Sequence, residues 1–277
     1  MLKIDSHQHF WKYNTGDYQW IDDKMEVLKR DFLSEHLAEE QRKWDFDGSI
    51  SIQARQNEQE NKFLLNQSEN NPLIKGIVGW IDLRANNVEE QLSNASKFVK
   101  FRGVRHVIHD EPDIDFMLDP AFLNGISKLQ QFGLTYDILI FTQHLPNTIK
   151  MVGKFPDQKF VLDHIGKPLI RDKILEPWSS LIKILGGFPN IYCKISGMVT
   201  EADWNSWKQS DFKPYIDIVY EAFGEDRLMI GSDWPVCRLA GGYGQVMGIV
   251  EKYFSNFPEN IQEKIFSGNC LDFYNIR

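Results

Sequence analysis

Eight short apolar runs alternate with eight helical patterns along the 277 residues of this chain. That alternation predicts a closed, parallel (β/α)8 barrel, a TIM-type α/β fold. The length exceeds what one small sandwich needs, and it suits one barrel domain over residues 1–277. The runner-up, an open doubly wound sheet, lacks the Gly-rich phosphate loop it needs after the first strand.

The first strand spans residues 2–10 and carries His7 and His9. Residues 31–44 read as a helix through Phe32, Leu33, Leu37 and Trp44. Asp47-Gly48 turns into strand two at 49–54, and 58–70 is the next helix, stopped by Asn71-Pro72. Strand three, 77–81, is an almost unbroken apolar run, as in sheets buried on both faces. A helix follows at 88–99, then strand four at 103–108. Asp119 has the position of an N-cap, with Pro120 at the first helical position and Gly133 as the stop. Strand five is 136–141 and its helix is 145–154; strand six is 159–163 and its helix is 174–185. Strand seven is 191–195, followed by a helix at 212–223 that closes at Gly224. Strand eight, 228–230, leads into Gly231-Ser232-Asp233-Trp234-Pro235; a helix at 245–254 and a cap at 258–273 complete the chain.

Hydrophobic residues make up 42% and charged residues 25%, the composition of an ordinary globular protein. Acidic residues outnumber basic ones 39 to 31, giving a net charge of −8. Nucleic acids and anionic membranes select basic patches, so neither is an expected partner. No apolar run approaches the length of a membrane span, and no apolar signal segment precedes the first strand. Three widely spaced cysteines do not make a disulfide framework, so a reducing, cytoplasmic setting is expected. The expected partner is a small molecule, and a homo-oligomer stays open.

In a barrel of this kind, chemistry sits at the C-terminal ends of the strands. Alternate side chains of a strand share a face, so His7 and His9 can bind one metal ion together. His164 ends strand six and Asp233 ends strand eight, beside strand one once the barrel closes. These four, His7, His9, His164 and Asp233, are the expected metal site. Asp233 and His164 are the expected catalytic residues, with Asp233 activating water. Gln53, Arg55, Trp80, His106 and Lys194 are the expected substrate contacts, because each lies at or near a strand end. The cofactor expected is one divalent ion, zinc fitting best. Without a metal, His164 or Lys194 would have to supply the positive charge of the site.

The N-terminal His-x-His, the segment Val161-Leu162-Asp163-His164-Ile165-Gly166-Lys167-Pro168 and Gly231-Ser232-Asp233-Trp234-Pro235 together resemble the amidohydrolase superfamily. Gly79-Trp80-Ile81-Asp82-Leu83-Arg84, Phe101-Arg102-Gly103-Val104-Arg105-His106 and Thr200-Glu201-Ala202-Asp203-Trp204 narrow the resemblance to its sugar-lactonase branch. The resemblance implies hydrolysis of a sugar lactone, L-fuconolactone or a similar 6-deoxy or pentose lactone, to the aldonic acid. Many superfamily members carry a strand-four Lys that bridges two metals. Strand four here offers His106 instead, and His144 falls several residues past strand five, so a two-metal site is not expected. The alternatives are a decarboxylase or amide hydrolase on the same scaffold, or a sugar-acid binding protein without catalysis.

Overall fold

The computed structural model describes residues 1–69 and 71–276. Eight parallel strands pair in sequence order: β1 (Ile4–Gln8), β2 (Gly48–Ile52), β3 (Ile74–Gly79), β4 (Phe101–Val107), β5 (Thr135–Leu139), β6 (Phe160–Leu162), β7 (Ile191–Ile195) and β8 (Leu228–Ile230). The circle closes where the Asp233 N–H donates to the His7 carbonyl at 2.8 Å and the His9 N–H donates to the Trp234 carbonyl at 2.6 Å. The outer ring consists of α1 (Ser34–Lys43), α2 (Glu58–Glu69), α3 (Val88–Ser96), α4 (Pro120–Leu129), α5 (Leu145–Lys154), α6 (Trp178–Gly186), α7 (Gln209–Phe223) and α8 (Tyr243–Phe254). This is the expected (β/α)8 barrel. None of its described helices is long and apolar enough to cross a membrane.

Several boundaries differ from the sequence reading for local reasons. The first helix starts at Ser34 because Phe32 exchanges two backbone hydrogen bonds with Trp11, at 2.8 and 2.9 Å. Strand β3 runs three residues earlier than expected, and its end is set at Trp80, whose N–H is taken by the Asn61 side chain at 2.8 Å. Asn70, the expected last residue of the second helix, lies outside the described residues. The α4 cap is as expected: the Asp119 carboxylate accepts from the Ala121 and Phe122 N–H groups at 2.7 and 3.1 Å, and Gly133 turns away at φ +67°.

An apolar shell between strands and helices contains most of the buried side chains. A second apolar cluster joins Ile4, Ile50, Val78, Val161 and Met229 of the strands to Cys270, Phe273 and Tyr274 of the C-terminal segment. That segment closes the end of the barrel opposite the strand ends. Its Tyr274 hydroxyl reaches into the lumen and donates to Asp137 at 2.6 Å.

The α4 helix packs so closely on the loop after β3 that a Cβ on Gly125 would collide with the Leu83 carbonyl. Gly125→Val therefore overpacks a rigid contact, for a loss of roughly 1–3 kcal/mol, whereas Asp119→Ala removes only a cap, for about 1 kcal/mol. Thermal melting should show both variants shifted down, with Gly125→Val shifted further; an unchanged midpoint for Gly125→Val would refute the close packing.

Candidate active site

The floor of the barrel mouth brings together the four residues expected to bind metal. The Nε2 atoms of His7 and His9 are 3.1 Å apart. Asp233 Oδ1 lies 3.4 Å from His9 Nε2, 3.8 Å from His164 Nε2 and 3.9 Å from His7 Nε2. A ligand atom from each of His7, His164 and Asp233 falls within 4.8 Å of the others. All four side chains are buried.

Local backbone explains this convergence. Between Asp5 and Gln8 the register of β1 against β2 shifts by one residue, a bulge of the kind that re-aims side chains beside sites. Asp5 then ties β1 to β8 by accepting from the Ser232 N–H at 2.9 Å and the Ser232 hydroxyl at 2.6 Å. Asp233 and His164 both adopt positive φ, +56° and +54°. Such strain in non-glycine residues persists only where surrounding contacts enforce it. For His164 one such contact is Gly197 (φ +61°), where any Cβ would strike the imidazole.

The far nitrogen of each ring is anchored. His7 Nδ1 lies 3.3 Å from Asp163 Oδ1, His9 Nδ1 donates to the Ile52 carbonyl at 2.9 Å, and His164 Nδ1 is 2.9 Å from the Ser196 hydroxyl. His9 Nδ1 gives its proton to the Ile52 carbonyl, and Arg105 Nη1, which can only donate, lies 3.3 Å from His7 Nε2, so the two Nε2 lone pairs face one another. Two acceptors at that distance need a cation between them or a proton on one of them. Four tetrahedral zinc ligands with bonds near 2.0–2.1 Å would sit about 3.4 Å apart, close to the shorter edges of this set. The donor set therefore fits one zinc-type ion. Arg105 Nη1, 3.3 Å from His7 Nε2, brings positive charge to the same edge.

Burial pushes the His164 imidazole down to about 4, outweighing the Asp233 charge beside it. Burial likewise holds His7 well below its ordinary value despite Asp163. For Asp233 burial works in the raising direction, but the imidazoles of His164, His9 and His7 around it outweigh burial, so the carboxyl stays below the usual carboxylate range. Near neutral pH these shifts favour neutral His7 and His164 imidazoles beside an ionised carboxylate.

Above the floor opens a cavity of about 320 Å³. The loop after β1 lines it with Trp11, Trp20 and Met25, and Phe141, Trp204 and Leu239 add further apolar wall. Arg105, His109, Asp110, Lys167 and Glu201 supply its charged and polar groups.

The five expected substrate contacts stand apart from the lining of this cavity. Gln53 is fully buried beneath the mouth and receives Arg105 Nη2 on its side-chain oxygen at 3.1 Å. Arg55 points outward to Glu60 and Asp17, both at 2.8 Å. His106 turns to the other face of β4, where it stacks on Phe116 at 4.7 Å, bonds Glu111 at 2.6 Å and accepts from Trp80 Nε1 at 3.3 Å. Lys194 is fully enclosed under His7, 2.5 Å from Asp137 and 3.0 Å from Asp163. None of the five lines the cavity. The residues missed were Arg105, one step from His106 and on the inward face, and Lys167, Glu201 and Trp204, which stand on loops where periodicity carries no signal.

The sequence matches the amidohydrolase family over residues 4–276. An L-fucono-1,5-lactonase of Burkholderia multivorans is 39% identical over 262 residues, covering 91% of this chain and 88% of that protein. An L-fucono-1,5-lactonase of Burkholderia ambifaria is 30% identical over 279 residues, covering 99% and 96%. The crystal structure of an amidohydrolase from Burkholderia multivorans with bound zinc superposes at a TM-score of 0.96, with 37% identity and full coverage of both chains. A match that runs from β1 to the C-terminal segment, joined to a barrel mouth carrying His7, His9, His164 and Asp233, places this chain in the amidohydrolase family.

Proposed function

We propose that this chain, acting as one barrel domain over residues 1–277, opens a sugar lactone to its aldonic acid, with L-fuconolactone or a similar 6-deoxy lactone as the preferred substrate. The observation that carries the reading is the Asp233 carboxylate set among three inward Nε2 atoms at the base of a mixed aromatic and charged cavity. The lactonase names of the two Burkholderia relatives support it.

Asp233 accepts a proton from the attacking water as its oxygen adds to the lactone carbonyl. Collapse breaks the ring C–O bond, and the proton held on Asp233 passes to the departing ring oxygen. The product acid then loses its own proton to solvent. His7, His9, His164 and Asp233 are the residues that would hold a divalent ion, which when bound acidifies water and polarises the carbonyl. The two metal-free polarisers fare poorly in this site. His164 is neutral near pH 7, and the Lys194 ammonium is walled off beneath His7. Arg105, at the edge of the floor, is the cation placed to face a developing oxyanion.

The cavity also argues about substrate charge. Lys167 is paired with Glu201 at 2.8 Å and Arg105 with Asp163 at 3.1 Å, so neither cation is left uncompensated. A neutral polyol suits this balance better than an aromatic carboxylate, which speaks for lactone opening over decarboxylation.

Replacing Asp233 by Asn keeps its size and removes its basicity; kcat should fall by roughly 10²–10⁴-fold with folding retained. Near-normal turnover in single-turnover kinetics would show that Asp233 is not the base. Metal analysis should find no more than one tightly held divalent ion per chain, and chelation should lower activity in a way zinc restores. Two bound equivalents, or full activity in verified metal-free protein, would overturn the mononuclear assignment. In a panel of aldonolactones, esters, amides and aromatic carboxylates, the highest kcat/KM should fall on a sugar lactone, with inverted hydroxyl centres costing about tenfold or more each. A preference for an amide, or release of carbon dioxide from an aromatic acid, would refute the lactonase assignment.

A further inference from the structure

Four consecutive residues after β6, His164, Ile165, Gly166 and Lys167, hold φ of +54°, +49°, +75° and +48°. Left-handed backbone is costly for L residues, and three of these four are not glycine. The run sends two side chains into one cavity, His164 to the floor and Lys167 to the wall. There the Lys167 ammonium meets the Glu201 carboxylate of the turn after β7 at 2.8 Å and lies 5.6 Å over the Phe141 ring. The two side chains are only 16% and 18% exposed. Trp204 stands in the same wall, its indole N–H fixed on the Thr200 carbonyl at 2.9 Å.

A largely enclosed ion pair is by itself weak evidence of a stabilising role. Inside a ligand cavity it presents a donor and an acceptor side by side. The ammonium carries three N–H donors and the carboxylate about four lone-pair sites, so the contact between them leaves capacity on both. A vicinal diol offers the complementary pair of groups.

We propose that Lys167 and Glu201 read two neighbouring hydroxyls of the lactone, Lys167 donating to one oxygen and Glu201 accepting from the other. The inference rests on the lactonase reading above. It orients the substrate: the hydroxylated edge faces Lys167 and Glu201, and the C–H or methyl edge faces Trp11, Trp20 and Met25. The pair is then a specificity-determining element, distinct from the floor that carries the chemistry.

The test compares L-fucono-1,5-lactone with δ-valerolactone, a six-membered lactone without hydroxyls, in the wild type, Lys167→Met, Glu201→Gln and the double variant. The ratio of kcat/KM for the sugar lactone over δ-valerolactone should fall roughly tenfold or more in each single variant, chiefly through KM. The double variant should lose little beyond either single one, since the two residues act as a unit. An unchanged ratio, with both lactones losing activity in proportion, overturns the proposal and leaves the pair as a brace between two loops. Failure of the folded wild type to open either lactone overturns the lactonase reading and this inference with it. Thermal melting monitors folding, and if one single variant does not fold, the other decides by the same ratio.

Discussion

A lysine ammonium buried in the barrel lumen is the constraint to which the site is built. Lys194 has no exposed surface, and an isolated buried charge is among the costliest features a fold can hold. It is tolerated because β5 and β6 each bring a carboxylate to it, Asp137 and Asp163. Burial raises Asp137 to about 6, against the pull of Lys194. Asp163 is held well below its ordinary value because Lys194, His7 and Arg105 together outweigh burial. Asp163 is therefore the member of the pair that stays firmly charged. Its spare reach fixes His7 Nδ1 on one side and Arg105 on the other. The orientation of the first histidine is thus set by an ion cluster spread over β1, β4, β5, β6 and β7. Removing one partner of a buried pair typically costs about 3–5 kcal/mol, because the other charge is stranded.

Barrel closure supplies the second half of the site. The hydrogen bonds joining β1 to the end of β8 are the same ones that place Asp233 beside His7 and His9. Stability and chemistry share these contacts: Asp5, with its carboxyl raised to about 6 by burial, spends its oxygens on Ser232 and the His7 N–H and has no part in the cavity. A catalytic group held by the seam of the fold is preorganised without further cost at the moment of reaction.

The alternation of strands and helices was legible because Gly, Pro and Asp punctuate it at Asp47-Gly48, Asn71-Pro72, Asp119-Pro120 and Gly133. The floor was legible because a parallel barrel exposes strand ends at one face, and His7, His9, His164 and Asp233 stand there. The walls were not. On β4 the inward residue is Arg105, and an error of one step selects His106, which faces away. Gln53 and Lys194 do face the lumen, but depth along a strand is invisible to a pattern of period two, and both lie below the cavity. Trp80 stands past the end of a strand that begins three residues earlier than its apolar run suggested. Lys167 and Glu201 are brought together by loop backbone alone.

The left-handed turn after β6 also governs how this scaffold could be remade. Because a single backbone run delivers both His164 and Lys167, an inserted or deleted residue between them would rotate floor and wall together. Grafts that reshape the ligand cavity therefore belong elsewhere, in the segment between Trp11 and Met25 or beyond Thr200. Surface loops there can change length while the chemistry below stays in register. The turn is a fixed joint, and remodelling has to proceed around it.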